Sequence, residues 1–498
     1  MNGTLHSIDI VVLGGYAAIL ITMGIYYFRK SKTSTQFMVA DRTIPAWAAG
    51  LAVMSAYTSS ISYIATPGKA FDANWHPMIF ALCIPPIAFI VNRIVVPYYR
   101  KMNMISVYQF LEDRLGAYGR IYAAFSFILY MIGRTAVILY LAGLLLYSFV
   151  PWNLAVIIVF IGIITIIYTM LGGMEAVIWT DVMQSAVMII GIIFCAVTLT
   201  IAITTKPDFL IQSALNADKF SLGSLDLSLT TRTVWVMIIY GLTENLRNLI
   251  ADQNYVQKYV STGTEAAAKR SVWIAMLIYI PLTAIFLYIG TALFAFYSPG
   301  GAELSAEITK GDQVFPYFIA TQLPVGLKGL IIAAILAAAM STVDSALNCS
   351  ATVLLLDFYK RYVNPHINEN KSVLLLRGTS LLWGLFGIIF ALLMIRARSA
   401  LDIWWQISGI FGGGILGLFL LALFRAKLAV WQGIVSVAIS ITLIAWGTFA
   451  RNLPESMSWF ECSIDPILMG TLGTVGLLLT ALVFHLVNRT KKVVRSKE

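Results

Sequence analysis

The sequence has 498 residues, of which 59% are hydrophobic and only 12% are charged, and its mean hydropathy is +0.83. Soluble domains carry about 25% charged residues, so this composition excludes an ordinary soluble protein and predicts a polytopic membrane protein. The formal net charge is +10, and the four cysteines lack the paired spacing of a disulfide framework or a zinc site.

Apolar stretches of about 20 residues recur along the chain and predict an all-α integral membrane protein with about thirteen transmembrane helices. The stretches cover 7–28, 46–70, 77–99, 119–149, 152–171, 176–204, 233–255, 271–297, 326–356, 374–397, 401–424, 428–449 and 466–488. The segments between them are short, so no appended catalytic or sensor domain is expected.

Basic residues follow every second stretch and would lie on one side of the membrane if the chain alternates. They include Arg42, Arg100, Lys101, Lys258, Lys269, Lys360, Arg361 and the basic tail after residue 488. The side that is rich in Lys and Arg is normally cytoplasmic. We therefore expect a plasma (inner) membrane protein with its N-terminus outside and its C-terminus inside. The positive charge then needs no nucleic acid partner to explain it.

The second stretch is unusually polar in its middle. Between Gly50 and Trp75 it carries a run of hydroxyl residues, with Pro67 and Gly68 just downstream; the hydroxyl residues are Ser55, Thr58, Ser59, Ser60 and Ser62. A broken helix inside a membrane can ligate a cation with freed carbonyls and an anion with half-helix amides. The alternative is that these hydroxyls only bond back to the helix or allow close packing.

Arg134 is the most deeply placed basic residue, with about fifteen mostly apolar residues on either side. Its guanidinium could bind the carboxylate of an anionic substrate bidentately. The alternative is a structural pair with a carboxylate on another helix.

Two acidic residues, Asp181 and Asp344, also fall within or beside apolar stretches. Ser341, Asp344 and Ser345 share one helix face, and their oxygen atoms suit Na⁺ rather than a transition metal. In the alternative interpretations, Asp181 caps a helix near the cytoplasmic face, and Ser341 and Thr342 are small packing residues.

Other functions are disfavoured by the patterns in the chain. Glu244 and Arg247 are spaced to pair with each other rather than to contact substrate. The sequence lacks the His-Glu-x-x-His, Gly-x-Ser-x-Gly and Walker motifs, so an enzyme is not expected. It also lacks a repeated pore-loop filter, which disfavours an ion channel.

Three segments together resemble signatures of the sodium/solute symporter family. They are Gly172 to Gln184 (GGMEAVIWTDVMQ), Asp252 to Tyr259 (DQNYVQKY) and Ala337 to Thr342 (AAAMST). The resemblance implies two inverted five-helix repeats, at 46–204 and 233–424, separated by an extracellular loop at 205–232. One extra helix would precede them at 1–45, and two helices and the basic cytoplasmic tail would follow at 425–498.

Within that family the chain is particularly similar to bacterial sodium/sialic acid symporters. The likeness implies that Ser59, Ser62 and Arg134, together with the neighbouring Ser60, form the substrate site. It also implies a main Na⁺ site formed by the carbonyls of Ser55, Thr58 and Ala338 and the hydroxyls of Ser341 and Thr342. A second cation site would involve Asp181, Ser341, Asp344 and Ser345, and its cation could be Na⁺ or H⁺.

The chain departs from that group at several positions. Ala81 stands where a glutamine is expected, and Asp344 stands where that group has serine. Arg247 and Asn248 follow Asn245-Leu246, which disfavours the aromatic gate of the sugar-transporting branch.

Taken together, these features lead us to expect a monomeric Na⁺-coupled symporter that imports a small carboxylated solute, with sialic acid as the first choice. A uronate, a monocarboxylate, an amino acid or another sugar is the alternative.

Overall fold

The computed structural model describes residues 5–30, 32–102, 104–147, 149–150, 152–204, 209–299, 301–306, 308–396, 400–425, 428–451, 453 and 455–495. The side chains of residues 489–498 are not described, so the predicted basic cytoplasmic tail lies outside the described residues. Within these ranges the regular secondary structure is helical, apart from an isolated parallel bridge between Ile44 and Thr262.

The first half of the chain forms eleven α-helices. They are α1 (Ser7–Lys30), α2 (Ser34–Val39), α3 (Ala46–Tyr57), α4 (Ser60–Asp72), α5 (Met78–Leu82), α6 (Ile84–Ile90), α7 (Val96–Lys101), α8 (Gln109–Leu115), α9 (Ala117–Tyr147), α10 (Leu154–Thr204) and α11 (Phe209–Asn216). A 3₁₀ turn at Ala40–Arg42 follows α2, and a π-helical segment at Val91–Val95 joins α6 to α7.

The second half forms nine more. They are α12 (Val234–Ile250), α13 (Gln253–Val260), α14 (Glu265–Phe296), α15 (Gly311–Gln322), α16 (Leu327–Val353), α17 (Glu369–Leu393), α18 (Ala400–Leu423), α19 (Val430–Phe449) and α20 (Met469–Arg495). A π-helical segment at Leu354–Val363 extends α16, and 3₁₀ turns lie at Met394–Arg396, Glu455–Phe460 and Pro466–Leu468.

Every predicted apolar stretch coincides with helical structure, which confirms the all-α membrane fold. Within the described ranges, nine helices are long and apolar enough to cross a membrane. Shorter apolar helices lie at Ala46–Tyr57, Leu154–Ile167 and Ile407–Leu423. The count of thirteen membrane crossings therefore stays a prediction.

Two of the predicted spans are interrupted at non-helical residues. The first break lies between α3 and α4, where Thr58 and Ser59 have extended backbones. Helix α4 then continues through Pro67, so the break does not lie at the proline. The second break separates α12 from α13 at Ala251 and Asp252. Each of the two repeats implied by the resemblance thus begins with a broken helix.

A sharp turn at Gly173 divides α10 into two apolar helices. Gly173 has φ +66°, a left-handed conformation that favours glycine. A Cβ at this position would lie 2.8 Å from the Cα of Phe37, so the turn also needs the close approach that glycine allows. The predicted spans 152–171 and 176–204 are the two arms of this turn.

Helices α16 and α9 form the centre of the molecule, whereas α1 lies at its edge. In the helical segment Leu327–Val363, which contains α16, 89% of the most apolar stretch is buried inside the protein. The corresponding share for α1 is only 22%. Helix α10 packs extensively on α16, and α3 and α4 pack on α14. Because α16 is enclosed by other helices, its polar residues must find partners within the protein.

Candidate functional site

At the break between α3 and α4, the amino end of helix α4 lies inside the protein. The Ser59 hydroxyl accepts a hydrogen bond from the Ile61 amide at 3.2 Å, and the Ser59 amide donates to the Ser62 hydroxyl at 3.3 Å. The Ser62 hydroxyl in turn donates to the Tyr57 carbonyl at 3.4 Å. The serines predicted to bind substrate therefore form a reciprocal cap. A helix start of this kind favours an anion.

Ser60, the third predicted serine, has a different environment. Its side chain is fully buried, and within the described part of the chain its hydroxyl makes no hydrogen bond. A buried polar group without a partner is rare in folded proteins, because desolvation is costly when no hydrogen bond replaces water.

Arg134 is anchored beside the same break. It is buried, and its guanidinium donates a hydrogen bond to the Ala56 carbonyl at 2.8 Å. The Tyr255 hydroxyl donates to the same carbonyl at 3.1 Å. A cation and a phenol therefore hold the last turn of α3, three residues before Ser59. The structure thus places Arg134 and the serine cap at one helix break.

The predicted main Na⁺ site is a buried cluster of oxygen atoms between α3 and α16. The Ser55 hydroxyl donates to the Ser341 hydroxyl at 2.8 Å. The hydroxyls of Ser341 and Thr342 donate to the Ala338 carbonyl at 3.3 and 3.0 Å. Thr58 lies at the helix break, and its amide donates to the Ser55 carbonyl at 3.1 Å. Hydroxyl and carbonyl oxygens are ligands that suit a hard cation.

Asp344 belongs to a second buried group of oxygen atoms, between α10 and α16. Its carboxylate accepts hydrogen bonds from Ser345 at 3.3 Å and from Thr180 at 3.4 Å. The Ser345 hydroxyl also donates to the Ser341 carbonyl at 2.8 Å. The structure thus brings together Ser341, Asp344 and Ser345, as predicted, and adds Thr180, which the sequence reasoning left without a role.

Asp181 forms an ion pair that the sequence reasoning missed. Its carboxylate lies 2.9 Å from the ammonium of Lys258, and neither side chain is exposed. The expectation that Lys258 lies in a segment after a membrane span is therefore wrong, because Lys258 is buried within α13. The alternative in which Asp181 caps a helix is wrong as well, because Asp181 lies in the interior of α10. The sequence does contain a signal for the burial of Lys258, because Val256, Tyr259 and Val260 lie close to it in the chain.

Glu244 and Arg247 pair with each other, as their spacing predicted. Two guanidinium nitrogens of Arg247 donate to the Glu244 carboxylate at 3.0 and 2.6 Å. Arg247 also lies 3.3 Å from the Asp252 carboxylate and 3.1 Å from the Tyr130 hydroxyl. This network fixes the carboxyl end of α12 at the second helix break.

A cleft between α12, α18 and α20 lies beside this network, and its lining does not include the serine cap. Its walls include Tyr240, Glu244, Arg247, Gly412, Gly470 and Thr471. The two charged residues in its lining are already paired with each other. It therefore does not offer a free charge for an anionic substrate.

Known proteins resemble this chain over nearly its whole length. Residues 37–438 match the sodium:solute symporter family. The sodium/sialic acid symporter SiaT of Proteus mirabilis (strain HI4320) is 30% identical over 472 residues, covering 93% of this chain and 94% of the relative. The sodium/sialic acid symporter NanT of Aliivibrio fischeri (strain ATCC 700601 / ES114) is 31% identical over 454 residues, covering 90% and 89%.

A solved structure is also similar in fold. It is the substrate-bound outward-open state of a Na⁺-coupled sialic acid symporter, with a TM-score of 0.89 and 28% identity. The match covers 97% of this chain and 98% of the solved one. The chain therefore belongs to the sodium:solute symporter family. It is a multi-pass membrane transporter rather than an enzyme, and Na⁺ is its coupling ion, as the sequence predicted.

Proposed function

We propose that this protein is a Na⁺-coupled symporter that imports sialic acid by alternating access. The observation that carries this proposal is the position of Arg134, whose guanidinium bonds to Ala56 beside the capped start of α4. A fixed guanidinium next to a helix amino terminus provides two kinds of donor for a carboxylate. The whole-length relatives named above are symporters of a carboxylated sugar.

Substrate binding must rearrange the serine cap. The Ser59 and Ser62 hydroxyls already satisfy amides and a carbonyl at the break. A substrate carboxylate offers stronger, charged acceptors for the same amides and for Arg134. We therefore assign Ser59, Ser60, Ser62 and Arg134 to the substrate site. Recognition of the rest of the sugar rests on other residues, since the buried methyl of Ala81 cannot form a hydrogen bond.

Na⁺ would couple to substrate through the contact between α3 and α16. The main Na⁺ site is proposed at Ser55, Thr58, Ala338, Ser341 and Thr342. A cation there would be coordinated by both helices, through the Ser55 carbonyl on α3 and the Ser341 hydroxyl on α16, and would hold α3 in the position that presents the serine cap. Na⁺ thus favours the conformation to which substrate binds. The membrane potential adds about 2.3 kcal/mol per charge for each 100 mV.

A second cation site is proposed around Asp344, Ser341 and Ser345; the resemblance adds Asp181, which the structure pairs with Lys258. Carboxylates inside a low-dielectric site need a compensating cation. Na⁺ is favoured there because serine hydroxyls on the same helix face add neutral oxygen ligands. A proton at one carboxylate is the alternative.

The topology and the domain division are part of the proposal. The N-terminus is placed outside and the C-terminus in the cytoplasm, in the plasma membrane and as a monomer. Repeats at 46–204 and 233–424 are supported by the broken helices with which each begins. The segment 205–232 is placed outside the membrane, with 1–45 before the repeats and 425–498 after them.

Thermal-shift measurements on the purified protein test the substrate. N-acetylneuraminate, an analogue with hydroxyl in place of the N-acetyl group, a uronate, a short monocarboxylate and a neutral hexose are compared with Na⁺ and with K⁺. Stabilisation by N-acetylneuraminate only in Na⁺ is the expected result. If a different acid alone stabilises the protein, that acid is the substrate instead of N-acetylneuraminate. Stabilisation by the hexose alone would contradict the proposed carboxylate-binding site.

A further inference from the structure

Lys258 and Asp181 form an ion pair that is enclosed on all sides by protein. Their charged atoms lie 2.9 Å apart, and both side chains have 0% exposure. The Lys258 ammonium also donates a hydrogen bond to the Ala52 carbonyl at 3.0 Å. It therefore links α13 and α10 to α3, one helical turn before Ser55, which is a proposed Na⁺ ligand.

The pair is a charge-neutral unit inside a region of low dielectric. Burial of a single uncompensated ammonium or carboxylate is strongly unfavourable, so each of the two charges depends on the other. A Na⁺ that bound to Asp181 would place a second positive charge next to the ammonium on one carboxylate. The repulsion between two such cations is strong away from water.

We propose that the ammonium of Lys258 is a tethered cation that takes the place of Na⁺ at Asp181. Asp181 is then a partner of the lysine and not a Na⁺ ligand. The second cation position belongs to Asp344, Ser341 and Ser345, and Lys258 sets how many Na⁺ ions the protein binds. This inference rests on the proposed cation sites.

The contacts of the two carboxylates support this division. Asp181 faces the Lys258 ammonium, whereas Asp344 accepts hydrogen bonds from Thr180 and Ser345. The Ser345 hydroxyl also reaches the Ser341 carbonyl. Neutral oxygen ligands that suit Na⁺ thus lie around Asp344, whereas Asp181 has a permanent cation beside it in addition to the Ser55 hydroxyl.

A count of bound Na⁺ tests the proposal without relying on transport. Binding of radioactive Na⁺ to purified protein is measured for the wild type, Lys258→Met, Lys258→Arg and the double variant Lys258→Met/Asp181→Asn. Lys258→Met leaves the Asp181 charge without its cation, so one additional Na⁺ per protein is expected. Lys258→Arg and the double variant, in which the pair remains neutral, should keep the wild-type number.

Two results would overturn the proposal: a folded Lys258→Met variant with the wild-type Na⁺ number, or a double variant that loses one Na⁺. Should Lys258→Met fail to fold, the double variant decides. An electron cryo-microscopy structure of the wild type in saturating Na⁺ needs no variant. Lys258 within salt-bridge distance of Asp181 supports the proposal, and Na⁺ in contact with Asp181 contradicts it. N-acetylneuraminate binding on the same samples tests the proposed substrate separately.

Discussion

The hydroxyls of Ser55 and Ser341 are in direct contact at 2.8 Å, although 286 residues separate them in the chain. Ser55 lies two residues before the end of α3, and Ser341 lies in the largely buried helix α16. The Ser55 carbonyl and the Ser341 hydroxyl are both proposed Na⁺ ligands, so a bound cation would join the same two helices. The contact is therefore where Na⁺ can act on the helix that carries the substrate site.

The first prediction concerns this contact. Ser341→Ala and Thr342→Ala each remove a hydroxyl ligand, so the Na⁺ concentration for half-maximal uptake should rise, by about tenfold if about 1.4 kcal/mol is lost. Substrate affinity at fixed Na⁺ should fall in parallel, because coupling between two ligands is reciprocal. Ser350→Ala, on the same buried helix but outside the cluster, is the matched control. Unchanged Na⁺ dependence in the Ser341/Thr342 double variant would leave both residues as packing residues.

The second prediction concerns Arg134. Arg134→Ala should weaken substrate binding by about 2 kcal/mol or more, which is roughly 30-fold, because it removes charged hydrogen bonds. Arg134→Lys should restore little of that loss, since a point charge cannot reproduce the planar fork. Titration calorimetry with N-acetylneuraminate measures both variants, and Arg93→Ala, at an exposed position, serves as the control. Wild-type affinity in Arg134→Ala would exclude a role in binding the carboxylate.

The third prediction concerns Asp344, the buried carboxylate on α16. Asp344→Ser removes a buried negative charge from α16, so Na⁺ should bind more weakly while substrate recognition is retained at high Na⁺. The Hill coefficient for Na⁺ is measured from pH 5 to 8, which separates a Na⁺ site from a proton site. A Hill coefficient of one that Asp344→Ser does not alter at any of these pH values would remove both versions of the second cation site.

The fourth prediction concerns His76, which lies between α4 and α5. Burial, together with the nearby charges of Arg232 and Lys69, lowers the pKa of His76 from 6.5 to about 4. The folded protein therefore keeps this imidazole neutral at pH values at which the unfolded chain binds a proton. The stability contribution is complete above about pH 6.5 and is lost as the pH falls towards 4, by at most about 3 kcal/mol.

His76→Asn tests this directly. The melting temperature of the wild type in detergent should fall between pH 6.5 and 4.5 by more than that of the variant. His366→Asn, which changes an exposed histidine on the segment between α16 and α17, is the control. Parallel pH profiles for the wild type and His76→Asn would show that His76 does not cause the loss.

Much of the candidate site could be predicted from the chain alone. The hydroxyl run from Ser55 to Ser62, the isolated Arg134 and the face shared by Ser341 and Ser345 are local patterns. Polar residues are costly in a membrane-spanning helix, so each such residue in an apolar stretch is informative by itself. The all-α membrane class follows for the same reason, because only a few structures satisfy the backbone in hydrocarbon.

Only the tertiary structure decided which of these polar residues are partners. Lys258 and Asp181 lie 77 residues apart, and the apolar neighbours of Lys258 do not indicate which distant carboxylate pairs with it. The exact position of the first helix break, at Thr58–Ser59 rather than Pro67, likewise depends on contacts. Arg134 and Tyr255 satisfy the Ala56 carbonyl there, and both residues come from other helices. Periodicity and hydropathy identify the polar groups that are buried and therefore need a partner. Which charge or hydrogen-bond donor becomes that partner depends on how helices distant in sequence pack together.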